Sequence, residues 1–103
     1  MSANPMEVIK EKDQKLFGAI ANNYELAFAD GEISKKNKLL IALAIDSVIK
    51  AENGVKVLAL QAIENGATKE EIHEVLRIVN FICGTYLYKL SVKLEKQNLP
   101  INA

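Results

Sequence analysis

Between residues 6 and 29, Val8, Ile9, Leu16, Phe17, Ile20, Tyr24, Ala27 and Phe28 recur at intervals of three and four, with no proline among them. This spacing predicts one amphipathic helix, weakened at Gly18. Asp30-Gly31 then supplies a turn, because glycine accepts positive φ and aspartate bonds its own backbone. Ser34 is a good N-cap for the next element. Residues 35–51, KKNKLLIALAIDSVIKA, open polar and become apolar on nearly all sides from Leu39 to Ile45, the pattern of a helix central to a core. Asp46 breaks that run. Seven residues are close to two turns, so Asp46 lies roughly below Leu39 on the same face. A carboxylate there needs a partner or solvent, and Lys50, four residues on, is the expected partner.

Asn53-Gly54 is expected to end this helix or cap the next, which runs through VKVLALQAI and stops at Asn65-Gly66. Glycine suits the left-handed position past a helix end. A hairpin between the two Asn-Gly steps is excluded, since the run is rich in Ala, Leu and Gln and lacks a period of two. Thr68 opens TKEE, where its hydroxyl and the Glu71 carboxylate are spaced for a capping box. The long helix that follows carries Ile72, Val75, Leu76, Val79, Ile82, Tyr86 and Leu90 on one stripe, with Ile78, Phe81 and Tyr88 elsewhere. So much apolar surface on one helix of a small domain predicts a face toward a second subunit. Tyr86 is assigned to the core, Tyr88 to the interface, and the tail QNLPINA to a frayed end. The chain is expected to be all-α, one domain over 1–103 with its core at about 17–96.

Composition narrows the function classes. Thirteen basic side chains balance thirteen acidic ones among 103 residues, so no net field draws in nucleic acid or an anionic membrane. No uninterrupted apolar stretch approaches the roughly eighteen residues of a bilayer span, and MSANPMEVIKEKD has no basic leader with an apolar core. A soluble, cytoplasmic protein is expected. One cysteine and one histidine provide neither a disulfide nor a zinc site. No metal and no cofactor are expected.

The string LLIALAIDSVIKA, a short connection, and ALQAIENGATKEEIHEVL resemble the carboxymuconolactone decarboxylase family, which includes the alkylhydroperoxidase D-like proteins. The likeness spans roughly residues 17–90. Its most specific part is a small-residue helix ending in Asn-Gly-Ala-Thr and leading to Glu-Glu-Ile. Phe28, Asp30-Gly31 and Ile33 look like the family's aromatic residue and Asp/Gly turn. The resemblance implies an alkylhydroperoxidase D-like helical fold, an oligomer (dimer, trimer or hexamer) and a small-molecule ligand near subunit contacts. In the peroxidase branch it implies a Cys-x-x-Cys-x-x-x-His segment and a glutamate one helix earlier. Counted back from Thr68, the cysteine positions fall on Ala51 and Gly54, the histidine on Leu58 and the glutamate on Leu39.

All four are substituted. Peroxide reduction of this type needs an attacking thiolate and a resolving thiol, and the decarboxylase branch relies on a histidine and a glutamate to move protons. The remaining candidates are Asp46, Glu52, His73 and Cys83. Asp46 lies on the face of the family glutamate and Glu52 sits between the former cysteine positions, beside Asn53, which also reads as a helix cap. His73 stands among Glu70, Glu71 and Glu74, as an exposed helical residue does. Cys83 has apolar neighbours that keep a thiol inert. These two are about 80° and three turns apart on one helix, which excludes a dyad. Lys35, Lys36 and Lys38 form a small basic group, by default a solvated face. The expected function is a family member of unassigned activity, without the peroxidase chemistry, serving as a structural or interaction module. The alternatives are an enzyme with relocated acid/base residues of decarboxylase or lactone-processing type, and a single-cysteine peroxidase using Cys83.

Overall fold

The computed structural model describes residues 5–97, and among them it contains five α-helices and no strand. They are α1 (Pro5–Lys12), α2 (Gln14–Phe28), α3 (Lys35–Val48), α4 (Glu52–Glu64) and α5 (Lys69–Lys96). The all-α expectation holds, but the first helix is two. Asp13 interrupts it at φ −150°, and its carboxylate accepts the Leu16 amide hydrogen at 3.0 Å, restarting the chain as the N-cap of α2. Aspartate favours caps because its side chain competes for backbone donors. Gly18, the expected weak point, lies inside α2. The expected frayed tail falls, beyond Gln97, outside the described residues.

The helix ends follow local chemistry. Ser34 caps α3 by accepting from the Asn37 amide at 3.1 Å, and Thr68 and Glu71 form the full capping box of α5, each bond at 3.0 Å. Helices α3 and α4 both close in Schellman motifs. At α4 the Ala67 amide reaches the Ala62 carbonyl at 2.9 Å and the Gly66 amide the Ile63 carbonyl at 3.0 Å, with Gly66 at φ 98°. At α3 the Ala51 amide reaches Asp46 at 2.9 Å and the Lys50 amide Ser47 at 3.3 Å, with Lys50 itself at φ 61°. Helix α3 therefore ends at Val48, before the expected residue 51.

Helix α3 is central, packing most closely on α4, then on α5 and α2, while α1 packs on α2. Leu39, Leu40, Ala62 and Ala67 form the buried cluster, and Phe28, Leu58, Ile72 and Val75 pack against it. Every helix from α2 to α5 thus contributes to one apolar centre, which burial drives together. The lysines at the start of α3 act as clamps. Lys36 meets Glu71 at 2.8 Å, tying α3 to α5, and Lys38 donates to the Ala29 carbonyl at 2.7 Å, at the end of α2. The Lys35 amide donates to Asp30 at 2.6 Å across the turn.

Helix α5 outruns this body. Its 28 residues are about 42 Å long, and from Thr85 to Gln97 every residue but Ser91 is exposed. Tyr86, assigned to the core from its place on the stripe, is exposed together with Tyr88. The second half of the stripe, Ile82, Tyr86 and Leu90, is exposed because no described helix extends alongside it. The radius of gyration is 18.4 Å, against about 13 Å for a compact domain of this length. By length and composition alone α5 contains an 18-residue stretch apolar enough to cross a membrane, with a mean hydropathy of 1.2 over that stretch. Arg77 and Lys89 interrupt its apolar run.

Candidate functional site

Helix α4 starts without a side-chain cap. Its N-cap is Ala51, and Asn53 and Gly54 lie inside the first turn. The expectation that Asn53-Gly54 punctuates a helix therefore fails, since the Lys50 turn had already ended α3. Ala51, Gly54 and Leu58 are spaced three and four residues apart, so they share one face of α4. The four positions that the resemblance equates with chemistry sit as follows. Leu39 has no exposed surface. Leu58 packs against the cluster that contains Leu39. Ala51 and Gly54 are half-buried at the head of α4. Where the family pattern has an acid and an imidazole, two aliphatic side chains fill one apolar core.

Asp46 lies at the open end of this face. A Cβ built on Gly54 would fall on the Asp46 carboxylate, with its Cγ at 3.0 Å. The carboxylate thus occupies the room that a side chain at the second cysteine position would need. A negative charge over the first turn of a helix is favourably placed, because the N-terminal amides there carry partial positive charge. Asp46 is half-buried, and among the described residues its side chain makes no ion pair or hydrogen bond. The expected Asp46–Lys50 pair is absent. A four-residue pairing holds only within a continuous helix, and Lys50 has already turned into the left-handed conformation.

Beside this contact is an open depression of about 440 Å³ lined by Ser47, Lys50, Glu52, Val55 and Lys56. Glu52 is the only one of the four candidate groups on its lining. The Ser47 hydroxyl donates to the Leu43 carbonyl at 2.8 Å and is occupied within α3. His73 is exposed in the second turn of α5, and Cys83 is a free, half-buried thiol further along it. Asp46 and Glu52 flank the α3–α4 turn, whereas His73 and Cys83 belong to another helix. No group of three or more His, Cys, Asp or Glu that could hold a metal ion exists among the described residues.

Glu71 is the carboxylate whose electrostatics the fold changes. The hydrogen bond from Lys36 and then that from the Thr68 amide hold its pKa below the ordinary carboxylate range. The sequence signal found the cap but missed the ion pair, because nothing in a helical pattern relates residue 36 to residue 71. The Asp46–Gly54 contact was missed for the same reason, although a glycine two residues inside a helix was its available sign.

A sequence model described as the carboxymuconolactone decarboxylase family matches residues 14–90 of the chain. An uncharacterized protein of Methanocaldococcus jannaschii is 31% identical over 82 residues, covering 80% of this chain and 77% of that protein. No solved structure matches the chain significantly.

Proposed function

The chain belongs to the carboxymuconolactone decarboxylase family, and on that premise we propose that it is a member without the family's peroxidase chemistry, serving as a structural or interaction module. The observation that carries this reading is the burial of Leu39 in the cluster against which Leu58 packs. Proton transfer at either position is impossible for an alkyl side chain, and a void there would forfeit the contacts that stabilise the α3–α4 pair. We extend the reading to a cytoplasmic homo-oligomer that works through protein contacts, and the balanced charge speaks against a role on nucleic acid.

A second reading draws on Asp46 and Glu52. An unpaired carboxylate beside a helix N-terminus and an open depression is an arrangement that proton-transfer chemistry can use. On this reading the protein processes a small lactone or carboxylic acid at the α3–α4 turn. One set of assays separates the two. The purified protein is offered peroxide with a thiol reductant, and separately a panel of small lactones and β-keto acids, with Asp46→Asn and Cys83→Ser variants alongside. The module reading expects no turnover above the uncatalysed rate. Lactone or acid turnover abolished by Asp46→Asn would overturn it in favour of the second reading. Peroxide consumption abolished by Cys83→Ser would overturn it in favour of a single-cysteine peroxidase.

A further inference from the structure

The tripeptide Glu-Asn-Gly occurs twice in the chain, at Glu52–Gly54 and at Glu64–Gly66. An asparagine followed by glycine is chemically labile, because glycine has no side chain to hinder attack of its backbone nitrogen on the asparagine side chain. With the same residue on either side, the two steps have nearly the same intrinsic reactivity. Any difference between them in the folded chain comes from the fold.

At Asn65 both reacting groups are held. This asparagine is the C-cap of α4, and its side-chain amide donates to the Gln61 carbonyl at 2.8 Å. The Gly66 amide, which would supply the attacking nitrogen, donates to the Ile63 carbonyl at 3.0 Å. Both bonds belong to the turn between α4 and α5, and both must open before a ring can close there.

At Asn53 neither group is held. Asn53 is exposed in the first turn of α4, and among the described residues its side chain makes no hydrogen bond. Ala51 gives the helix no side-chain cap, and the first helical bond of α4 runs from the Val55 amide to the Ala51 carbonyl at 2.9 Å. The Asn53 and Gly54 amides therefore belong to the donors that a helix start leaves without a partner. The Asp46 carboxylate over Gly54 opposes negative charge on the Gly54 nitrogen, while the positive end of α4 favours it.

We propose that Asn53 is a self-modification site, converted to aspartate and isoaspartate through attack by the Gly54 nitrogen, while the same tripeptide at Asn65 is protected. Solvent base takes the Gly54 amide proton, and the nitrogen forms a bond to the Asn53 side-chain carbonyl carbon. The bond from that carbon to Nδ2 breaks and ammonia leaves. Water then opens the cyclic imide at either carbonyl, with no oxidant or reductant involved. The imide costs Gly54 an N–H that bonded to nothing, whereas at Gly66 it would cost the bond to Ile63. Either product sets a new carboxylate beside Glu52, which lines the α3–α4 depression. Isoaspartate also adds a methylene to the backbone and breaks the helical register of the first turn. The inference does not rest on the module reading, since the chain reacts with its own backbone and water alone.

The test incubates the full chain at mildly alkaline pH, both folded and unfolded in urea, and follows the peptides spanning each step by mass and by the chromatographic separation of isoaspartate from aspartate. In urea the two steps convert at similar rates. In the folded protein residue 53 converts at least about tenfold faster than residue 65, as expected when two hydrogen bonds must open at the slower site. Asn53→Gln, whose longer side chain disfavours the ring, removes the fast phase and leaves the slow one, with helix content unchanged by circular dichroism. Equal rates in the folded chain, faster conversion at Asn65, or an Asn53 that reacts only in urea would each overturn the proposal. So would a gap as wide in urea as in the folded chain, because its origin would then lie outside the fold.

Discussion

In α3, Leu39 and Leu43 have no exposed surface, yet in the second half of α5 residues of the same apolar character stand almost free in solvent. Leu39 meets neighbours from α2, α4 and α5, because four helices cross near it. The second half of α5 extends past all of them. Sequence pattern alone marks both as apolar helix faces to be covered, and it was the amount of such surface on the last helix that pointed part of it toward a second subunit. What separates them is the number of elements within reach, and that depends on the short turns joining α3 to α4 and α4 to α5, which fold the inner half together and leave the long last helix projecting.

Truncation gives the largest contrast. Leu39→Ala is expected to cost about 3 kcal/mol of stability, from lost transfer energy and an unfilled cavity, with the same loss at every protein concentration. Phe81 is exposed, so on the proposed homo-oligomer reading Phe81→Ala is expected to lower the thermal midpoint only at concentrations where copies associate. Thermal denaturation over a hundredfold range of concentration reads both. If the two variants lose stability equally at all concentrations, the inner and outer halves do not differ as described.

The second effect concerns the contact that has displaced the family's second cysteine position. Gly54→Cys is expected to cost about 1–3 kcal/mol, because the new Cβ meets the Asp46 carboxylate. In an Asp46→Ala background most of that cost should disappear, giving a coupling of about 1 kcal/mol or more in a double-mutant cycle. Additive effects in urea denaturation would place the carboxylate elsewhere.

Local chemistry was the legible part of the sequence. The Ser34 cap, the Thr68–Glu71 box and the Gly66 turn each depend on residues within three or four positions, and each stands where the pattern put it. The break at Asp13 was hidden because Ile9 and Leu16, seven residues apart, keep one helical phase, although the polar run KEKDQK between them and a cap-forming aspartate were its available signs. Asn53-Gly54 misled for the opposite reason, since a turn-forming pair lies inside a helix where Asp46 requires a glycine. The family positions were legible as absences, but the packing of Leu39 and Leu58 into one core was not, because it joins two helices. The Lys36–Glu71 pair likewise spans helices α3 and α5.

The two Schellman turns permit a smaller and opposite pair of changes. Gly66 is at φ 98° with nothing within 4 Å of a built Cβ, so Gly66→Ala is expected to lose about 1 kcal/mol through backbone strain alone. Lys50 occupies the equivalent position at φ 61° with a side chain. Lys50→Gly relieves that strain, less the added freedom of glycine in the unfolded chain, and should gain about 0.5–1 kcal/mol. Chemical denaturation that shows both changes to be destabilising would mean that the α3 turn holds Lys50 by contacts other than its backbone.

The smallest effect is electrostatic and tests how α5 is joined to the inner half. The Lys36 hydrogen bond, followed by the Thr68 amide, lowers the Glu71 pKa in the folded chain. A carboxyl with a depressed folded pKa binds its proton less readily when folded than when unfolded. Its contribution is therefore fully present above the ordinary glutamate value of about 4.3 and is lost as pH falls through the lower folded value. Lys36→Met removes the larger cause and leaves the Thr68 bond. The difference in thermal midpoint between wild type and Lys36→Met should be constant from neutral pH down to about pH 5, then shift against wild type on further acidification. The apolar side chain of methionine sets any constant offset between the curves, but only the ion pair makes the offset depend on acid. A difference that does not change between pH 6 and pH 3 would show that the first turn of α5 is held to α3 by the packing of Ile72 and Val75 and not by the Lys36–Glu71 pair.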